Sequence, residues 1–233
     1  MIDKTVASCK EAVAGVFDGA TIMIGGFGGP GFPARLLEAL REQGATNLVA
    51  IHNGAGMDDY ALGGLIKDGR IRKLIASFPI NQGATAFRDR YLKGEIELEL
   101  TPQGTLVERI RAAGAGLGGF YTPTGAGTEL AVGKEIREIE GRQYVFETPL
   151  RADFAFIKAH RGDRLGNLNY RMAMRNFNMV MATAAKVVIA EVDQMVPAGV
   201  LSPDEIHTPG IFIDRVVQVE RDTRVFDRPQ ERR

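Results

Sequence analysis

Short apolar runs alternate with amphipathic helical segments through residues 1–113, and this alternation constrains the fold more than any other feature. The patterns predict strands at residues 21–26, 47–52, 72–78 and 96–101, and helices at residues 33–43, 59–67, 85–93 and 106–113. Strands separated by helices of this length pair in parallel through right-handed crossovers. The chain is therefore predicted to be an α/β protein with an open, mostly parallel, doubly wound sheet.

A glycine-rich segment follows this alternating region. Seven glycines lie between residues 114 and 133, in a stretch that has almost no charge but contains Leu117, Phe120 and Tyr121. Since solvated linkers are usually hydrophilic, we expect a long loop that packs near a pocket or a partner chain. A mobile surface loop is the alternative.

The remainder of the chain adds smaller features to the sheet. Residues 135–139 and 143–147 flank Glu140-Gly141 and predict a β-hairpin. Residues 152–160 and 186–192 predict further buried strands.

Length, charge and cysteine content limit the functions that this chain can have. We expect one domain over residues 1–220, followed by a polar C-terminal tail over residues 221–233. Lys plus Arg and Asp plus Glu are balanced at 29 each, so neither nucleic acid nor a membrane surface is an expected partner. The single cysteine, Cys9, begins a predicted helix and is expected to be an inert thiol.

Targeting and metal-binding signals are also missing. No apolar run reaches the length of a membrane span, and residues 1–10 lack the order of a signal peptide, so a cytoplasmic protein is expected. His160 and His207 stand in no metal-ligand spacing, and no metal site is predicted.

The first glycine cluster follows a predicted strand and precedes a predicted helix. Gly26, Gly28 and Gly31 match the spacing Gly-x-Gly-x-x-Gly, which is typical of a dinucleotide site. That site also requires an acidic residue at the end of the second strand, where this chain has His52, and Pro30 removes one N–H from the turn. The cluster therefore predicts a loop that contacts some ligand, and a nicotinamide-dependent oxidoreductase remains an alternative.

Two amide side chains follow other predicted strands. Asn53 directly follows the second strand and Gln103 follows the fourth, so both belong to the carboxyl edge where open α/β sheets bind ligands. Asn53 would either bind a carbonyl or carboxylate group or cap its own turn. Gln103 would either stabilise an oxyanion or begin the next helix. Residue type alone leaves both questions open.

Several segments, in this order, resemble the A subunits of class I coenzyme A transferases that act on 3-oxoacids. They are Ile22-Met-Ile-Gly-Gly-Phe-Gly28, Asn53-Gly-Ala-Gly56, Leu100-Thr-Pro-Gln-Gly-Thr-Leu106, Phe120-Tyr-Thr-Pro-Thr-Gly125, Asp153-Phe-Ala-Phe-Ile-Lys-Ala159, Arg175-Asn-Phe177 and Ile206-His-Thr-Pro-Gly-Ile211. The resemblance runs over nearly the whole chain and implies the family I coenzyme A transferase fold.

The resemblance also implies a mechanism. In this family the nucleophilic glutamate lies on a B subunit, and two A and two B chains usually form the enzyme. CoA passes from succinyl-CoA to a 3-oxoacid in a ping-pong order through a glutamyl-CoA thioester. CoA thioesters are then substrates, and no permanently bound cofactor is expected.

Site residues on this chain follow from the same resemblance. Gln103 would donate to the oxyanion of the tetrahedral intermediates, and Asn53 would orient the substrate. The remaining substrate-binding residues would be Gly26, Phe27, Gly28, Gly29 and Gly54.

Departures from the family pattern lie near the substrate. His52 and Gly54 flank Asn53 where many relatives have a serine and a second asparagine, and Pro30 and Ala34-Arg35 also differ from acetoacetate-using relatives. Residues 77–79 and 146–150 look more like 3-oxoadipate enzymes, which slightly favours 3-oxoadipate over acetoacetate. Arg35 would either bind a distal carboxylate or be solvated. A non-catalytic ligand-binding protein of the same fold remains a further alternative.

Overall fold

The computed structural model describes residues 2–80 and 84–220, and eleven strands lie within them. The strands are β1 (Thr21–Ile24), β2 (Leu48–Ile51), β3 (Ile71–Ala76), β4 (Glu97–Leu100), β5 (Phe120–Thr122), β6 (Ile136–Ile139), β7 (Arg142–Glu147), β8 (Ala152–Asp163), β9 (Leu168–Asn169), β10 (Ala185–Val196) and β11 (Arg215–Gln218). The predicted tail at residues 221–233 lies outside the described residues.

Six α-helices connect these strands in the described part of the chain. They are α1 (Cys9–Val13), α2 (Ala34–Gln43), α3 (Leu62–Lys67), α4 (Thr85–Leu92), α5 (Gln103–Gly114) and α6 (Asn176–Met181). Helix α2 shows why the sequence pattern is informative, because Leu36, Leu37 and Leu40 are buried on one face and Gly44 ends the helix in a left-handed conformation.

The central sheet has the order β11-β10-β8-β1-β2-β3-β4, and every neighbouring pair in this order is parallel. Short strand β9 adds to β8 in the antiparallel sense. The chain proceeds from β1 toward β4 on one side and continues from β8 toward β11 on the other. The predicted doubly wound, mostly parallel sheet is confirmed, and its strand order reverses between β1 and β8.

Two apolar cores cover the two faces of this sheet. Ile22 and Ile24 of β1 face the core that includes α1, α2, α3 and α4, whereas Met23 faces the core that includes α5 and α6. Side chains alternate along a strand, so a strand buried on both faces reads as a continuous apolar run. This is the pattern that predicts β1 and β2.

Strands β8 and β10 extend beyond the edge of the sheet. The last residue of β1, Ile24, pairs with Phe156, but β8 continues to Asp163 and stays paired with β10 as far as Val196. The sequence predicts shorter strands here because polar residues interrupt the apolar runs after Ala159 and Val192. The extensions form a wall beside the carboxyl edge of β1.

The glycine-rich segment is more ordered than predicted. Residues 120–122 form β5, which pairs with β7 in a separate three-stranded antiparallel sheet of order β5-β7-β6. The Tyr121 ring packs against Phe146 at a centroid distance of 5.2 Å, a cross-strand contact that a single-sequence pattern does not reveal. The predicted hairpin is confirmed, and Glu140 and Gly141 occupy its turn with φ of 51° and 75°.

Helix α3 begins later than the predicted start at residue 59. Asp59 and Ala61 both have positive φ, of 62° and 45°, so the chain turns tightly before the helix starts at Leu62. Neither position is a glycine, so residue type does not indicate such a turn.

None of the helices within residues 2–80 and 84–220 combines the length and apolar character needed to cross a bilayer.

Candidate active site

The loops that follow β1, β2, β3 and β4 meet at the carboxyl edge of the sheet. Asn53 follows β2, Ser77 follows β3 and Gln103 follows β4. An isolated bridge between Gly54 and Phe78 continues the parallel pairing of β2 and β3 beyond the strands themselves. This bridge holds the second and third loops in register, so their side chains take fixed positions.

Asn53 is the centre of a small hydrogen-bonded cluster. Its Oδ1 accepts hydrogen bonds from Ser77 Oγ at 2.7 Å and from Gln103 Nε2 at 2.9 Å. Its backbone carbonyl accepts from the N–H groups of Ser77 and Phe78. The amide oxygen is therefore saturated, and the Asn53 Nδ2 group has no hydrogen-bond partner among the described residues.

Gln103 is the first residue of α5 and its side chain is exposed to solvent. An amide NH2 group has two donor hydrogens. One Nε2 hydrogen of Gln103 points to Asn53, and the second has no partner within residues 2–80 and 84–220. Neutral amide donors fixed at an open sheet edge can stabilise negative charge that develops on a bound oxygen. The two amide residues predicted to share this edge are thus brought together. Ser77 joins them, and its position directly after a strand is the sequence signal that places it at the same edge.

His52, the residue before Asn53, connects the end of β2 to the end of β1. Its ring is buried, packs against Phe32 at a centroid distance of 5.3 Å, and places Nδ1 2.8 Å from the carbonyl oxygen of Ile24. A carbonyl only accepts, so Nδ1 bears the proton in this contact. Burial lowers the pKa of His52 to about 4, and the hydrogen bond to Ile24 opposes this only partly. His52 is therefore a neutral structural residue at pH 7.

The depressed pKa of His52 predicts a pH-dependent stability. In the unfolded chain His52 binds a proton below about pH 6.5, whereas in the folded protein it binds one only below about pH 4. The free energy of unfolding therefore falls as the pH is lowered from about 6.5 to about 4. The loss due to His52 should total about 3 kcal/mol. Urea denaturation at pH 7 and pH 4 should show this extra loss in the wild type relative to His52→Gln. An identical pH dependence in both proteins would contradict it.

The first glycine loop, residues 25–31, lies next to the cluster. Gly26 has φ of 101°, and a side chain there would also press against the backbone of Phe32, so only glycine fits. Gly28 and Gly29 also have positive φ, and the Phe27 side chain is exposed. These four residues, predicted to contact substrate, form an open backbone surface at the carboxyl end of β1.

Two asparagine side chains bind the backbone of this loop. Asn178 is completely buried; its Nδ2 donates to the carbonyls of Gly31 (3.0 Å) and Met174 (2.8 Å), and its Oδ1 accepts from Lys158 N (2.9 Å). Asn176 Nδ2 donates to the carbonyl of Pro30 at 2.8 Å. Neither asparagine is predicted from the sequence, because no local pattern relates them to a loop that lies about 150 residues earlier in the chain.

Arg35 does not join the amide cluster. Its Nη1 lies 3.1 Å from Glu38 Oε2, one turn further along α2, and the side chain is partly exposed. The i to i+3 spacing of this pair is visible in the sequence and favours the solvated alternative for Arg35.

An ion-pair network fixes α5, the helix that begins with Gln103. Arg109 Nη1 lies 2.7 Å from Glu99 Oε1, and the buried Glu147 of β7 pairs with Lys134 at 2.6 Å and approaches Arg109 at 3.9 Å. Burial alone would raise the pKa of Glu99, but hydrogen bonds from Arg109 and Lys73 outweigh it and lower the pKa. The network links β4, α5 and the three-stranded sheet, and it anchors the helix that begins with Gln103.

Neither the cysteine nor the histidines form a metal or nucleophile site. Burial, followed by the negative charge of Glu191, raises the pKa of the Cys9 thiol to about 12, so the thiol stays protonated at neutral pH. Within residues 2–80 and 84–220, no group of three or more His, Cys, Asp or Glu side chains could hold a metal ion.

Comparison with known proteins gives a consistent result. Residues 6–219 match the family described as Coenzyme A transferase. The chain is 55% identical to the A subunit of 3-oxoadipate CoA-transferase from Pseudomonas putida over 219 residues, which cover 94% of this chain and 95% of that protein. It is 50% identical to the A subunit of succinyl-CoA:3-ketoacid coenzyme A transferase from Xanthomonas campestris pv. campestris over 215 residues, which cover 92% of this chain and 88% of that protein.

A solved structure shares the fold at lower identity. Glutaconate coenzyme A-transferase from Acidaminococcus fermentans superposes with a TM-score of 0.82 at 21% identity, covering 93% of this chain and 76% of that one. At this identity the likeness concerns the fold alone.

Proposed function

The chain belongs to the coenzyme A transferase family, and we propose that it is the A subunit of an enzyme that moves CoA from succinyl-CoA to a 3-oxoacid. The preferred acceptor is 3-oxoadipate rather than acetoacetate. The observation that carries this proposal is the Asn53–Gln103 amide pair at the sheet edge, in a chain so similar to the A subunit of a 3-oxoadipate CoA-transferase.

The reaction uses a glutamate of the partner B subunit. Its carboxylate attacks the thioester carbonyl of succinyl-CoA, and the C–S bond breaks to give an acyl-glutamyl anhydride and CoA thiolate. The thiolate attacks the glutamyl carbonyl and releases succinate, leaving a glutamyl-CoA thioester. The acceptor carboxylate then attacks this thioester, and the same steps in reverse order produce the new acyl-CoA and the free glutamate.

Each tetrahedral intermediate bears a negatively charged oxygen. Gln103 donates its second Nε2 hydrogen to that oxygen, and Asn53 orients the acyl group through its Nδ2. Ser77 keeps the Asn53 oxygen turned inward, so both amides present donors rather than acceptors to the substrate. The backbone of residues 26–29 and Gly54 forms the adjoining substrate surface.

The partner chain covers the carboxyl edge of the sheet. Phe27, Phe78 and Leu100 are all exposed there, around the amide pair. Large apolar side chains grouped at one edge favour a protein interface. We propose that two A and two B chains assemble in the cytoplasm and that each active site is shared between an A and a B chain.

Neither alternative function fits these residues as well. A nicotinamide site would need an acidic residue where β2 is followed by buried His52, and the loop after β1 contains Pro30. A non-catalytic binding protein would have no need of two amide donors that have no partner among the described residues and are oriented by a third side chain.

Reconstitution tests the proposed function. The chain alone should transfer no CoA above background, and addition of the B subunit should restore transfer from succinyl-CoA because the nucleophile arrives with it. With the complex, kcat/KM for 3-oxoadipate should exceed that for acetoacetate by about tenfold, the effect of one charge-assisted hydrogen bond. Full transfer by the isolated chain would contradict the shared site, and equal use of both acids would contradict the acceptor preference.

A further inference from the structure

A second feature of the carboxyl edge is a cavity of about 410 Å³ between the first glycine loop and the wall formed by β8 and β10. It lies where the strand order reverses between β1 and β8, the position at which open α/β sheets bind ligands. Its volume is within the range of sites for small molecules. Nothing in the proposed roles of Asn53 and Gln103 accounts for it.

The cavity adjoins the proposed acyl site. The segment from Gly29 to Phe32 lines the cavity, and the ring of Phe32 packs against His52, the residue before Asn53. Pro30, Phe32, Tyr60 and Met174 give much of its wall an apolar surface. A short methylene chain that enters the cavity would therefore be buried against apolar side chains.

Most charges that line the cavity already have partners. Lys158 Nζ lies 2.7 Å from Asp193 Oδ1 and 3.4 Å from Glu191 Oε1. Glu191 also accepts the N–H of Leu36 at 2.9 Å, and Asp193 Oδ2 lies 3.3 Å from His160 Nδ1. Lys158 therefore compensates two carboxylates and has little remaining capacity for an anion.

Arg171 differs from the other charged residues of the lining. Its side chain is exposed, and its guanidinium makes no hydrogen bond or ion pair with any residue in 2–80 or 84–220. The neighbouring arginines are engaged, Arg161 with Glu205 at 3.0 Å and Arg175 with His207 at 2.7 Å. A guanidinium at the rim of a pocket, with its donors uncommitted, matches a carboxylate in charge and in geometry.

We propose that this cavity takes the chain of an acyl group that ends in a second carboxylate, and that Arg171 binds that carboxylate. The proposal rests on the proposed function and names the group that distinguishes succinate and 3-oxoadipate from acetoacetate. Arg171 thus takes the role that the sequence suggests for Arg35, since Arg35 pairs with Glu38 on α2 and is not part of the cavity lining.

Ping-pong kinetics make this testable, because kcat/KM for the acceptor reports only the second half-reaction. In the reconstituted complex, Arg171→Gln should lower kcat/KM for 3-oxoadipate by about 10- to 100-fold and leave kcat/KM for acetoacetate within about twofold. Arg171→Lys should recover part of the loss, since it restores the charge without the bidentate geometry. Arg175→Gln, four residues away, is the matched control and should leave both acceptors unaffected.

Equal losses for both acceptors in Arg171→Gln would overturn the proposal, as would a selective loss found only in Arg35→Gln. Calorimetry with succinate and butyrate on the same complex separates this proposal from the proposed function. Wild type should bind succinate about tenfold more tightly than butyrate, and Arg171→Gln should bind both equally. If the wild-type complex prefers succinate to butyrate but transfers no CoA, the proposed function is refuted and the role of the cavity stands. If the wild-type complex shows no preference for succinate, the proposal that the cavity binds a second carboxylate is refuted.

Discussion

Gln103→Ala should lower kcat of the reconstituted enzyme by about 100- to 1000-fold, the loss typical of one missing oxyanion donor. The side chain is exposed and its one described hydrogen bond goes to Asn53, so the substitution removes a donor from the site without opening the core. The thermal midpoint should accordingly change little. Steady-state rates of CoA transfer in both directions, measured with saturating substrates, test the prediction.

The matched control is Gln143→Ala. Gln143 is also exposed and lies in β7, in the antiparallel sheet away from the amide cluster, so its loss should leave kcat unchanged. A Gln103→Ala enzyme that keeps turnover within about threefold of wild type would exclude Gln103 as the oxyanion donor. Equal losses in the two variants would point instead to a general effect on folding or assembly.

Asn178→Asp should reduce the free energy of unfolding by about 3 to 5 kcal/mol at pH 7. The two side chains have nearly the same shape, so no cavity is created. The change replaces an amide that donates to the Gly31 and Met174 carbonyls by an oxygen that repels both, inside a completely buried site. Chemical denaturation of the two proteins measures the difference.

Asn47→Asp is the control for this substitution. Asn47 is exposed with φ of 55°, a conformation that aspartate also tolerates, and stability should stay within about 0.5 kcal/mol of wild type. CoA transfer by folded Asn178→Asp should also fall, because the glycine loop loses the contact that positions Gly31. An Asn178→Asp protein as stable as wild type would show that the loop does not depend on this amide.

Local periodicity predicts the parts of the fold that depend on it. Strands β1 and β2 follow from continuous apolar runs, and helix α2 follows from a buried face that repeats every 3.6 residues. The predicted start of helix α3 is too early because Asp59 and Ala61 adopt positive φ, which their residue types do not indicate. Strand β5 has the sequence of a loop because its pairing with β7 joins residues more than twenty positions apart.

The candidate site is predictable to a similar extent. Asn53 and Gln103 can be placed at one edge because parallel strands present their carboxyl ends together. Family membership, inferred from ordered segments, is confirmed by the match over residues 6–219. Ser77 can be placed at this edge by the same argument, since it directly follows β3. The contact of Asn178 stays hidden, because a hydrogen bond across 147 residues leaves no mark on local patterns.

The wall formed by β8 and β10 has an evolutionary consequence. The amide pair is built by loops after β2 and β4, whereas the cavity is closed by this wall and by residues 171–174. Because different loops build the two sites, mutations in residues 171–174 can change which acid is accepted while the bond-making groups remain in place. We expect enzymes descended from a common ancestor to change their acceptor specificity through this segment long before they change their catalytic mechanism.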